Sequence, residues 1–127
     1  MGELILIVDD DLTNRRLISL LLEREGYGVR AAGDAREALE LLKTFYPRLI
    51  LMDIQLPGVN GLELTRKLKA NTETRKMIVV AFTGCAIQES KQKALDAGCD
   101  GYISKPIAPR RLMQLVAEYL LTHNGKQ

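Results

Sequence analysis

Apolar residues follow two alternating rhythms along this chain. Short runs that are apolar at almost every position alternate with longer stretches in which apolar residues recur every three or four positions. The short runs predict five strands: β1 at Leu4–Val8, β2 at Gly28–Ala32, β3 at Leu49–Met52, β4 at 77–82 and β5 at Gly101–Ser104. The first, third and fourth have no polar position, the pattern of strands covered on both faces. The second contains Arg30 and reads as an edge strand.

The longer stretches predict helices. Leu17, Leu20, Leu21 and Arg24 fall at helical spacing, Ile18 and Leu22 widen the stripe, and Asp11 supplies the cap. Asp34-Ala35-Arg36-Glu37 is a capping box for a second helix, with Ala38, Leu39 and Leu42 expected on its inner face. A third helix covers Gly61–Ala70, with Leu64 and Leu68 one turn apart. A fourth covers 88–97 and is closed by Gly98. Its apolar residues are mostly Ile87, Ala94, Leu95 and Ala97, so it buries little area and reads equally as a peripheral helix or as an element that shifts. Pro109 suits the first turn of a fifth, whose stripe is Leu112, Leu115, Val116, Tyr119 and Leu120.

Strand and helix in strict alternation imply an α/β fold, a doubly wound parallel sheet with right-handed crossovers. Ligands of such sheets bind at the carboxyl ends of the strands. Asp9 and Asp10 close the first strand, Asp53 the third and Thr83 the fourth, and Lys105 follows the fifth. If the strands are parallel, three acids, a hydroxyl and an ammonium meet at one rim. That set suits a divalent metal and a phosphoryl group.

Composition narrows the rest. The 127 residues fit one domain, 1–127, with its core at about 3–122 and a frayed tail. A net charge of +2 gives no argument for direct nucleic-acid binding, and no apolar run approaches the roughly 20 residues of a membrane span. No basic segment precedes the first apolar run, so no signal peptide is expected. Cys85 and Cys99 have no near partner at metal-ligand spacing and read as reduced thiols, which points to a cytoplasmic protein.

The motifs Val8-Asp9-Asp10, Met52-Asp53 with Pro57 and Gly61, Phe82-Thr83-Gly84 and Gly101-Tyr102-Ile103-Ser104-Lys105-Pro106 come in order at strand ends. In this the chain resembles a response-regulator receiver domain of the two-component systems. The resemblance implies a five-stranded flavodoxin-like sheet in the order 2-1-3-4-5 with five helices. It implies Asp53 as phosphoacceptor, receiving its phosphoryl group from a histidine kinase or a histidine phosphotransfer protein. Mg2+, or Mn2+ in its place, would be held by Asp9, Asp10, Asp53 and the backbone carbonyl of Gln55. Thr83 and Lys105 would bind the phosphoryl group, and Tyr102 would report the switch. The face formed by the fourth helix, fifth strand and fifth helix would meet a downstream protein. A phosphodonor would dock on Asn14, Arg15, Leu17 and Ile18 with Pro106 and Ile107. The domain would act as a switch that catalyses its own phosphorylation and dephosphorylation. Three positions bear on its behaviour: Gly84 stands where alanine is usual, and Gln55 and Cys85 would flank the path of attacking water.

Two other classes fit less well. A phosphohydrolase with an aspartyl-phosphate intermediate usually carries a second acid two residues after the nucleophile, where this chain has Gln55. A flavodoxin-like cofactor site would place a phosphate at the end of the first strand, where Asp9, Asp10 and Asp11 would repel it.

Overall fold

The computed structural model describes residues 2–54, 60–84 and 88–123. Within them strands and helices alternate: β1 Leu4–Val8, α1 Leu12–Arg24, β2 Gly28–Ala32, α2 Ala35–Leu41, β3 Leu49–Met52, α3 Gly61–Ala70, β4 Ile78–Thr83, α4 Gln88–Asp96, β5 Gly101–Ser104 and α5 Pro109–His123. All strand pairs are parallel, in the order β2-β1-β3-β4-β5. The chain winds outward from β1 to β2, then returns past β1 to build the other half. The crevice between β1 and β3 is therefore the point where the winding reverses.

Alternate residues of each strand point to opposite faces, and each face has its own core. Ile5, Ile7, Leu49, Leu51, Val80 and Ile103 pack with Ile18 and Leu22 of α1 and with Leu112, Val116 and Leu120 of α5. Leu6, Val8, Ile50, Met52, Val79 and Ala81 pack under α2, α3 and α4, against residues that include Ala38, Leu64, Leu68 and Ala94. The α4 contribution is small side chains, Ala94 and the nearby Ala97, while Leu95 is exposed. Ile87 lies outside the described residues.

Local signals set the helix ends. Asp11 accepts from the Asn14 amide and Asp34 from the Glu37 amide, so both act as N-caps. The Glu37 carboxylate reaches the Gly33 amide at 2.7 Å, one residue before the cap, and completes the box in a displaced form. Gly98 takes φ +108° after α4, where a side chain would be strained.

The structure corrects three expectations. On α1 the packed line is Ile18 and Leu22, whereas Leu17 and Leu20 are 50% and 48% exposed. On α2, Ala35, Ala38 and Leu42 face inward and Leu39 is exposed. In both helices the apolar stripe is wider than the contact, so its width does not show which edge packs. β4 also begins one residue later than expected. The Met77 amide closes a turn on the Thr74 carbonyl, and the ladder starts with Ile78 opposite Leu49.

A polar clamp fixes the amino-terminal edge of the sheet. The Lys69 ammonium donates to the carbonyls of Arg75 and Met77 and to the Asp100 carboxylate, at 3.1, 2.8 and 2.8 Å. Asp100 also accepts from the Val79 amide. One lysine thus ties α3 to the starts of β4 and β5. Beside it Cys99 is a buried free thiol, and burial pushes its pKa up, with coulombic repulsion from Asp100 adding to the rise and the Thr65 hydrogen bond opposing it. Cys85 lies outside the described residues.

At Gly101 a Cβ would sit 2.3 Å from the Tyr119 ring, so α5 lies directly on β5. Gly101→Ala should destabilise the fold by about 1–3 kcal/mol. Urea denaturation should show the loss, and adding Tyr119→Ala should remove the extra penalty of the new methyl group.

Candidate functional site

Register brings the rim together. Val8 pairs with Met52, so the residues that follow, Asp9 and Asp53, emerge side by side where the winding reverses. The Asp53 amide donates to the Val8 carbonyl at 2.9 Å and extends the ladder by one step. On the other side Thr83 pairs with Ser104, and the Lys105 amide donates to the Thr83 carbonyl at 2.9 Å. Asp9 is 2% exposed, Asp53 8% and Thr83 0%, while Asp10 is open to solvent.

Carboxylate oxygens of Asp9, Asp10 and Asp53 lie within 4.8 Å of one another. Like charges this close are unfavourable unless a cation compensates them. Lys105 supplies one: its ammonium is 2.7 Å from an Asp9 oxygen and 3.7 Å from an Asp53 oxygen. It also sits 5.0 Å from the centre of the Phe82 ring, a favourable cation–π distance. The peptide between Lys105 and Pro106 is cis. The other Asp9 oxygen accepts from the Asp11 amide at 2.9 Å, which orients the buried carboxylate.

This donor set fits a hard divalent cation. Such ions take oxygen ligands, and magnesium keeps several waters beside one or two carboxylates. Here Asp9 and Asp53 are buried and Asp10 is exposed, so the cluster combines three carboxylate oxygens with access to water. The expected fourth ligand, the carbonyl of Gln55, lies outside the described residues, as do Pro57 and Cys85.

Gly61 bears on the same loop. A Cβ there would meet the Asp53 carbonyl oxygen at 2.4 Å and the Ile54 Cα at 2.6 Å, so α3 begins in direct contact with the backbone of Asp53. A Cβ at Gly84 would meet nothing within 4 Å, so no steric contact requires glycine there. Tyr102 is half-buried on β5, packed against the core beneath α2, α3 and α4.

Of the six expected docking residues, Asn14, Leu17, Ile18, Pro106 and Ile107 line one groove of about 290 Å³ between α1 and the β5–α5 loop, with Lys105 at its edge. Arg15 does not line it. Its guanidinium turns the other way and donates to the Asp9 carbonyl at 2.8 Å. Sequence reasoning named Arg15 only as a docking residue and gave Phe82 no role of its own, whereas the structure sets Arg15 against the Asp9 backbone and the Phe82 ring beside Lys105. Phe82 stands directly before Thr83 in β4. For Arg15, only its place one turn into α1 was a signal.

The class defined by this fold and rim is a doubly wound α/β domain with an acidic, cation-compensated site at its switch point. The chain belongs to the response regulator receiver domains, whose family model matches residues 5–117. It is 40% identical over 120 residues to the polar-differentiation response regulator DivK of Brucella ovis, covering 94% of this chain and 98% of that one. A CheY-like response regulator receiver domain protein from Methanospirillum hungatei superposes with a TM-score of 0.91 at 35% identity, with full coverage of both chains. The receiver domain of a sensor histidine kinase from Pseudomonas aeruginosa, solved with a magnesium ion coordinated in its active-site cleft, gives a TM-score of 0.85 at 29% identity, covering 94% of this chain and 98% of that one. The chain is therefore a signalling domain of the two-component and phosphorelay type. No helix of the described residues is long and apolar enough to cross a membrane.

Removing the ammonium should expose the charge conflict. Lys105→Met should lower stability in EDTA by about 1–3 kcal/mol, because buried Asp9 loses its partner. The double variant with Asp9→Asn should recover most of that loss in the same denaturation measurement.

Proposed function

We propose that Asp53 is the phosphoacceptor, taking a phosphoryl group from phosphohistidine on a histidine kinase or histidine phosphotransfer protein. The observation that carries this reading is the meeting of three carboxylates within 4.8 Å with the Lys105 ammonium 3.7 Å from Asp53. A carboxylate oxygen of Asp53 attacks phosphorus, the phosphorus–nitrogen bond to the donor imidazole breaks, and an acyl phosphate forms. Bound Mg2+ would neutralise phosphoryl oxygen charge during transfer, which is chiefly a matter of positioning and electrostatics. Asp10 and Asp53 would hold it directly, with the Gln55 carbonyl, while Asp9 acts through water.

Lys105 then exchanges partners. It leaves the carboxylates for a phosphoryl oxygen, since the phosphoryl group carries roughly −1.5 to −2 charges while Asp53 gives up its own in forming the acyl bond. Thr83 donates its hydroxyl to a second oxygen, and Tyr102 turns inward as Thr83 moves. The response is a shift between two states of the α4-β5-α5 face, which a downstream protein reads. The small side chains by which α4 docks support this part of the reading, because little buried area holds that helix in one place. The groove beside α1 is the proposed landing site for the phosphodonor. The same residues would catalyse hydrolysis of the acyl phosphate, and residues 1–127 would act as one receiver unit.

The test is mass spectrometry after treatment with acetyl phosphate. The wild type should gain one phosphoryl group at Asp53 with Mg2+ and almost none without it. Asp53→Asn should gain none, and acid-stable labelling of that variant would sink the assignment. Lys105→Ala should still be labelled, slowly, yet fail to bind the partner that recognises the phosphorylated wild type.

A further inference from the structure

We propose that Arg15 is a positioning residue of the acidic rim. Its guanidinium, seated against Gly33, holds the Asp9 carbonyl and with it the geometry in which Asp9 and Asp10 present their carboxylates. This inference rests on the cation site proposed above.

Both backbone polar groups of Asp9 are held from outside its own strand. Its amide donates to the Ala32 carbonyl at 3.0 Å, and its carbonyl accepts from Arg15 Nη1 at 2.8 Å. The loop is closed from within by the Asp11 amide on the Asp9 carboxylate and the Asn14 amide on the Asp11 carboxylate. Arg15 lies one turn along the helix that Asp11 caps, with its amide on the Asp11 carbonyl. The acidic loop is thus pinned by a side chain from the helix it opens.

Gly33 makes room for that side chain. A Cβ at Gly33 would lie 2.9 Å from Arg15 Nη1 and 3.4 Å from its Cζ. The backbone there does not fall in the left-handed region, so space, not conformation, separates glycine from alanine at this position. The guanidinium is the mobile partner in that contact and would be the group to move. A planar fork with fixed donor directions suits such a seat better than a flexible ammonium.

Charge and positioning predict opposite effects. As a bare positive charge beside three carboxylates, Arg15 would oppose cation binding, and its loss would tighten it. As a positioning residue it assists binding, and its loss weakens it. Gly33→Ala separates the two, because it displaces the guanidinium and keeps the charge.

The experiment is magnesium titration of the full chain by calorimetry, with unfolding midpoints in EDTA as the check on folding. Arg15→Met and Gly33→Ala should each weaken magnesium binding by roughly three- to tenfold, as expected for one hydrogen bond lost. The double variant should bind no more weakly than Arg15→Met alone, since both changes remove the same contact. Tighter binding by Arg15→Met, unchanged binding by either single variant, or additive losses in the double variant would overturn the proposal. A wild type that binds no magnesium would remove the cation assignment and this inference with it. Magnesium binding that the variants leave untouched would remove this inference alone.

Discussion

The register of β1 against β3 is the constraint on which the site depends. It places Asp9 beside Asp53 at the switch point. Two buried carboxylates with an exposed third within 4.8 Å are an electrostatic conflict built by hydrophobic packing. The strands are held by residues such as Ile7, Met52 and Val80, which are buried almost completely. That packing sets where the backbones of Asp9 and Asp53 stand and holds their two buried carboxylates close together. A cation relieves the repulsion between them, and in this structure that cation is Lys105.

The rest of the fold delivers that lysine. Lys105 is fixed through its amide to the Thr83 carbonyl, and β5 is fixed to α5 by the close approach of Tyr119 to Gly101. At the far edge of the sheet the Lys69 clamp joins α3 to the starts of β4 and β5. The clamped strand starts thus lie at the opposite end of the sheet from the acidic rim. Among its described side chains, α4 lies against the core through the small Ala94, with Ala97 just beyond it, so those residues bury little area.

Much of this was legible in the sequence because buried parallel strands leave little ambiguity. The runs Leu4–Val8 and Leu49–Met52 are apolar throughout, and the aspartate that directly follows each, Asp9 or Asp53, marks the strand end. Asp9, Asp53 and Lys105 could be placed at one rim on that basis alone. Helix faces were less legible. Leu17 and Leu20 belong to the stripe of α1, yet Ile18 and Leu22 make the buried line. The stripe includes residues that line a groove, and periodicity does not separate a core contact from a groove wall. Arg15 shows the same limit for polar residues. Nothing in its spacing tells that its side chain bends back over the first turn of α1 to the Asp9 carbonyl, because that depends on the open space at Gly33, eighteen positions along the chain.

Two cations of different kind therefore meet the acidic rim, and their chemistry assigns them different work. Lys105 bonds to carboxylate oxygens through a compact ammonium on a flexible stem, a contact that can be exchanged for another anion when one arrives. Arg15 bonds to a backbone carbonyl through a planar fork, a contact with no counter-charge to surrender. On the proposed function an incoming phosphoryl group would compete with the carboxylates for the ammonium, but it would have no such claim on a guanidinium already bonded to the main chain. On that reading, the division between an ammonium held by carboxylates and a guanidinium held by the main chain would let the charge at the rim change hands while the acids that surround it keep their places.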